Sequence, residues 1–187
     1  MRALSLAGLL TTLVAVSAIA QDPPKVPGPQ KEHEWLQQLV GDWESEMEVS
    51  PGPGAEKSIC KGTAQTKSLG GLWIVTEVKS EMFGTPFTAV QTIGYDPKAK
   101  KYVGTWVDSM MNHMWKYEGS IDSTGKILTL EAEGPHMTEE GKTTMYRDIY
   151  EIKSKDHVVM TSSVKGDDGK WVTFMTGNSR RKGSKSI

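Results

Sequence analysis

The chain has a single cysteine, Cys60, in 187 residues. No internal disulfide is available, so the fold is held by packing alone. Charge of one sign is not in excess either: 22 lysines and arginines stand against 23 acids, a formal net charge of −1. That balance lacks the basic footprint of a nucleic-acid partner. The Gly-x-Ser-x-Gly elbow, the phosphate loop and the dinucleotide fingerprint are missing, and Glu32-His33-Glu34 has no second histidine to complete a zinc helix. His136 and His157 read as isolated residues. These gaps give a reading with no catalytic residue, no metal and no cofactor.

Long apolar runs are absent except at the start. Met1-Arg2 supplies a positive charge, Leu4 to Ile19 is apolar without an acid, and Ala18-Ile19-Ala20 has the small-x-small form that a signal peptidase cuts. Residues 1–20 are therefore expected to be a signal peptide, cleaved between Ala20 and Gln21. The run is too short, and too closely followed by Asp22, Pro23 and Pro24, to persist as an anchor, which needs ~20 apolar residues. The expected product is exported, periplasmic or extracellular, with no integral membrane segment after processing. Residues 21–30 are rich in proline and read as an extended linker. One domain follows over 31–182, and 183–187 reads as a flexible tail.

Within that domain, Glu34 to Val40 places Trp35, Leu36, Leu39 and Val40 at helical spacing, with Gly41 as a stop. Then the period changes to two. Trp43, Ser45, Met47 and Val49 alternate with Glu44, Glu46 and Glu48, as in a strand with one face in a core and one in water. Similar runs cover roughly 57–68, 72–82, 86–95, 101–109, 112–121, 126–133, 143–152, 157–164 and 170–179, separated by glycine-bearing turns such as Asp122-Ser123-Thr124-Gly125. About ten short antiparallel strands in one domain predict a closed barrel, because closure removes exposed edges. Cys60 shares a strand face with Gly62, Ala64 and Thr66 and is expected to be a buried structural thiol.

Several segments carry a resemblance. Gly41-Asp42-Trp43 after a short helix resembles the Gly-x-Trp opening of lipocalin-like barrels. That resemblance implies that Trp43 closes one barrel end under an arginine of the last strand, Arg180 or Arg181, with Arg180 taken as the partner. Leu69-Gly70-Gly71-Leu72-Trp73, Phe83-Gly84-Thr85-Pro86-Phe87, and Gly94-Tyr95-Asp96 through Trp106-Val107-Asp108-Ser109 resemble the bacterial family called domain of unknown function 1579. The resemblance runs from about His33 to Arg180 and implies a mostly β, lipocalin-like or calycin-like antiparallel barrel with a short N-terminal helix, in an exported protein. It implies no catalytic residue, since the family has none known.

Trp106 and Asp108 share one strand face, and His113, Trp115 and Tyr117 share another. If those faces point inward, they give aromatic walls with a few polar groups, the make-up of a small-ligand pocket. Arg147 lies on an alternating face with Thr143, Met145 and Ile149. Turned inward, it would need an acidic partner such as Asp108, or an anionic ligand. Met110, Met111, His113 and Met114 form a soft-ligand grouping suited to Cu(I), against which stands the ordinary use of methionine as a gap filler. The expectation is a binding module for a small apolar or amphipathic ligand, with Trp106, Asp108, His113, Trp115, Tyr117 and Arg147 around it. A hydrolase or isomerase using acid/base residues in that cavity, and a structural envelope protein with a filled barrel, are the alternatives.

Overall fold

The computed structural model describes residues 28–50 and 56–184. The expected signal peptide with its cleavage site at Ala20 and Gln21, the linker as far as residue 27 and the tail from residue 185 lie outside the described residues.

Ten antiparallel strands form one closed barrel: β1 Gly41–Val49, β2 Ser58–Leu69, β3 Trp73–Met82, β4 Thr85–Asp96, β5 Lys101–Asp108, β6 Trp115–Ile121, β7 Ile127–Pro135, β8 Thr143–Ser154, β9 His157–Lys165 and β10 Trp171–Arg181. Each strand pairs with its sequence neighbours, and β1 pairs with both β2 and β10, so no edge is left. Inward side chains follow the two-residue period except at the register shift between Thr173 and Met175 on β10. On β1 these are Trp43, Ser45, Met47 and Val49; on β2, Cys60, Ala64 and Thr66. The thiol is buried, as its alternation requires.

The helix α1, Lys31–Leu36, begins three residues before the periodicity suggests and passes into a 3₁₀ turn at Gln37–Leu39. Its early start follows from capping: the Gln30 amide donates to His33 Nδ1 at 3.0 Å, while the His33 and Glu34 amides donate back to the Gln30 carbonyl. The end of this segment is satisfied by side chains. Trp43 Nε1 donates to the Leu39 carbonyl, Arg181 to the Gln38 and Val40 carbonyls. Helix and turn together plug one barrel end, with Trp35 donating to Gly125 and Tyr102 to the Glu32 carbonyl.

An eight-stranded barrel is just wide enough for side chains to fill, so a ten-stranded one needs large residues or stays hollow. Here both occur. Trp35, Leu36 and Leu39 join Ile93, Tyr102, Trp115, Tyr117, Leu128, Leu130 and Tyr146 in a packed core on the plug and β4–β8 side. Trp115 meets Tyr146 edge to face at 4.6 Å between centroids. Space for its ring comes from Gly134, where a Cβ would lie 2.0 Å from the indole.

Candidate functional site

Opposite that core small inward residues, among them Ser45, Ala64, Thr76, Ser80 and Ser179, stand between the larger ones, and a cavity of about 170 Å³ remains. It runs from Leu39 and Trp43 at the plugged end to Val49, Met82, Phe87 and Met175 toward the other. Odd-numbered strands lead away from the plug, so the turn after β3 and the loops after β5 and β7 surround the far end. Those connections expose Phe83, Met110, Met111, Met114 and Met137.

Trp106 lines the cavity, stacked near Phe87, with its indole N–H donating to Asp108 at 2.9 Å. The other Asp108 oxygen accepts the Met110 and Met111 amides, so this carboxylate holds both a cavity wall and the loop above it. Tyr117 and Trp115 point inward but are packed in the filled half, and neither lines the cavity. His113 stands edge-on to Trp115 at 4.9 Å, and its Nε2 is buried without a hydrogen-bond partner among the described residues. The side chains of Met110, Met111 and Met114 are exposed while that nitrogen is buried, so the four do not gather as a copper site.

Arg147 is a correction: it lies on the outside of the barrel. Its guanidinium donates to Glu131 at 2.9 and 2.6 Å and lies 3.9 Å from the Trp171 ring centroid. Glu131 is its register partner on β7, and this outward pair fixes the parity of β8. A second correction concerns closure. The cation over Trp43 is Arg181, 4.4 Å from the ring centroid, because Gly177, Ser179 and Arg181 alternate inward. Arg180 is exposed on the outer face opposite Glu44.

The inward acid of β8 is Asp148, which the sequence reading missed. Tyr117 donates to its Oδ2 and Ser162 to its Oδ1, each at 2.5 Å. Burial raises the Asp148 pKa against the pull of these two donors, and burial plus the neighbouring Asp148 pushes the Tyr117 phenol up. One step along the same face, Tyr150 reaches Gln91 on β4, and both line the cavity. Tyr146, Asp148, Tyr150 and Ile152 at period two were the available signal.

His136 is not isolated: it comes within 4.8 Å of Glu139 and Asp167, ligand atom to ligand atom. Its Nδ1 accepts the Glu139 amide at 3.1 Å, which puts the proton of the neutral ring on Nε2, facing Glu139. Lys142 already neutralises Glu139. The grouping is a loop clasp rather than a cation site.

A closed up-and-down barrel, plugged by a helix at one end and hollow on one side, defines a class built to enclose small molecules or to be filled by its own side chains. The chain belongs to the family described as protein of unknown function (DUF1579), whose model matches residues 28–181. Among solved structures it is similar to Rv2717c from M. tuberculosis, with TM-score 0.62, 12% identity, and coverage of 82% of this chain and 99% of that one. It is also similar to the S-type phycobiliprotein lyase CPES from Guillardia theta, with TM-score 0.56, 13% identity, and coverage of 84% and 100%. At such identities the likeness concerns the fold. No curated protein matches the sequence. Among the described residues no helix is long and apolar enough to cross a membrane.

Proposed function

We propose that this barrel is the binding module of an exported protein and holds a small apolar ligand in its lumen. The observation that carries the reading is the off-centre cavity, lined by Trp43, Met47, Val78, Phe87, Trp106 and Met175 among others. By the cavity dependence of core substitutions, ~24 cal/mol per Å³, leaving about 170 Å³ unfilled costs about 4 kcal/mol. A filled structural barrel would avoid that cost with larger residues at Ser45, Ala64 or Ser179. The exposed methionines and Phe83 around the far end form an apolar approach to the lumen.

The lining favours binding over catalysis. Among the described residues that line the cavity there is no carboxylate, histidine, lysine or arginine to act as acid or base. The inward acids beside it, Asp108 and Asp148, each have both oxygens engaged.

The test is native mass spectrometry of the purified mature protein, followed by titration with toluene while the Trp43 and Trp106 indole N–H resonances are recorded. Binding is expected to shift both resonances in wild type and in Arg147→Ala, and to weaken in Trp106→Ala. Absence of any co-purified molecule together with unmoved resonances would sink the reading.

A further inference from the structure

The walls of the cavity restrict its occupant more tightly than its shape does. Among the described residues that line it, none carries a charge. A buried ion without a counter-charge is strongly disfavoured, so a carboxylate, phosphate or ammonium has nowhere to rest in this lumen.

Of the polar lining, Thr66, Thr76 and Ser80 are engaged in the wall, while Ser45 and Ser179 offer single hydroxyls. Thr66 and Thr76 bond each other at 2.9 Å, and Ser80 Oγ donates to the Lys61 carbonyl at 2.9 Å. Gln91 and Tyr150 differ. They come from β4 and β8, strands separated by three others around the barrel, and meet across the lumen. The Tyr150 oxygen lies 2.8 Å from Gln91 Nε2 and 3.1 Å from Gln91 Oε1. One hydroxyl placed against both ends of one amide makes only one of those bonds well at a time. The pair therefore keeps a donor and an acceptor in reserve at the cavity wall. Asp148, on the same strand face as Tyr150, offers no free acceptor there, because its oxygens are taken by Tyr117 and Ser162.

Size narrows the class further. About 170 Å³ is close to the ~150 Å³ engineered cavity that accepts benzene, and well below the ~300 Å³ at which drug-sized pockets begin. Resting on the binding reading above, we propose that the ligand is uncharged, has the bulk of one substituted ring or a short branched hydrocarbon, and carries one hydroxyl, carbonyl or amide group that docks between Gln91 and Tyr150. The apolar body then lies against Trp106, Phe87 and the methionines Met47, Met160 and Met175, whose flexible thioethers adapt to ring edges.

The experiment compares four probes of matched size on the mature protein: toluene, p-cresol, benzoate and benzylammonium, by calorimetry and by the Trp43 and Trp106 indole resonances. The result expected is p-cresol binding about five- to tenfold more tightly than toluene, the scale of one hydrogen bond, with neither ion binding in the lumen. In Tyr150→Phe and Gln91→Leu the ratio of p-cresol to toluene affinity falls to about one, the loss of one hydrogen bond. Gln91→Leu keeps the test decisive if removing the Tyr150 hydroxyl disturbs folding. Benzoate or benzylammonium shifting the same resonances as strongly as p-cresol would overturn the neutral-ligand inference and leave the binding reading standing. Equal affinities for p-cresol and toluene would overturn the role of the Gln91–Tyr150 pair. Failure of all four would remove the binding reading itself.

Discussion

Arg181 covers Trp43, its guanidinium carbon 4.4 Å from the indole centroid, and from that position it donates to the Val40, Gln38 and Lys155 carbonyls. Trp43 in turn donates to Leu39. Two side chains thus tie the last strand, the first strand and the plug together. Trp43→Ala is expected to lose ~3–5 kcal/mol, as large aromatic truncations in cores do. Arg181→Lys should lose about 1–2 kcal/mol, because an ammonium cannot reach three carbonyls in the plane of a fork. Arg180→Ala, on the exposed face, should stay within about 0.5 kcal/mol. Urea denaturation of the three variants checks the set, and an Arg180→Ala loss equal to that of Arg181→Lys would contradict the assignment.

Asp148 gives a pH dependence of defined sign. Its folded pKa is raised above the ordinary 3.8, chiefly by burial. The native state therefore binds a proton more readily than the unfolded chain, and this group makes stability fall as pH rises from about 4 through the folded pKa. Asp122, Glu139 and Asp168 are lowered and act in the opposite sense, so the comparison must be a difference. Subtracting the stability profile of Asp148→Asn from that of wild type between pH 4 and 8 should leave a negative slope. A flat or rising difference would show that Asp148 is not desolvated as the geometry implies.

Much of this architecture was legible because β1 and β2 alternate cleanly: glutamates and lysines mark the outside, so Trp43 and Cys60 could be turned inward from the sequence alone. On β8 the same rule fails to decide. Met145 and Ile149 make one parity look apolar, Tyr146, Tyr150 and Ile152 the other, and the choice rests on Glu131 standing opposite Arg147 and on Trp171 two strands away. Those neighbours exist only once the register is known. A bulge between Thr173 and Met175 on β10 likewise breaks the period. Trp115 and Tyr117 point inward, but they pack in the filled half of the lumen rather than along the cavity. Whether an inward aromatic lines a void or a core depends on what faces it across the barrel, and Leu128, Leu130 and the plug are remote in sequence.

Gly134 should tolerate no side chain. A Cβ there would stand 2.0 Å from the Trp115 ring, which is itself held by Tyr146 and cannot retreat. Gly134→Ala is expected to cost about 1–3 kcal/mol by overpacking. Pairing it with Trp115→Phe should recover part of the loss, since a smaller ring leaves room for the methyl group. Thermal unfolding of the single and double variants measures this, and additive losses would argue against the contact.

The final prediction separates the hollow from the surrounding packing. Ala64 faces the cavity from β2 and stands in register with Trp43 and Val78, so a larger residue there enters space that no protein atom occupies. Ala64→Leu should therefore raise stability by about 0.5–2 kcal/mol, as cavity filling commonly does, while abolishing the binding of toluene and p-cresol. In a barrel already packed the same change would destabilise by about 1–3 kcal/mol. Stability and binding moving in opposite directions is the signature of a void kept for a ligand. Denaturation and calorimetry on the same preparation read both, and an Ala64→Leu variant destabilised by about 1–3 kcal/mol, in a protein whose wild type binds neither probe, would refute the existence of the cavity.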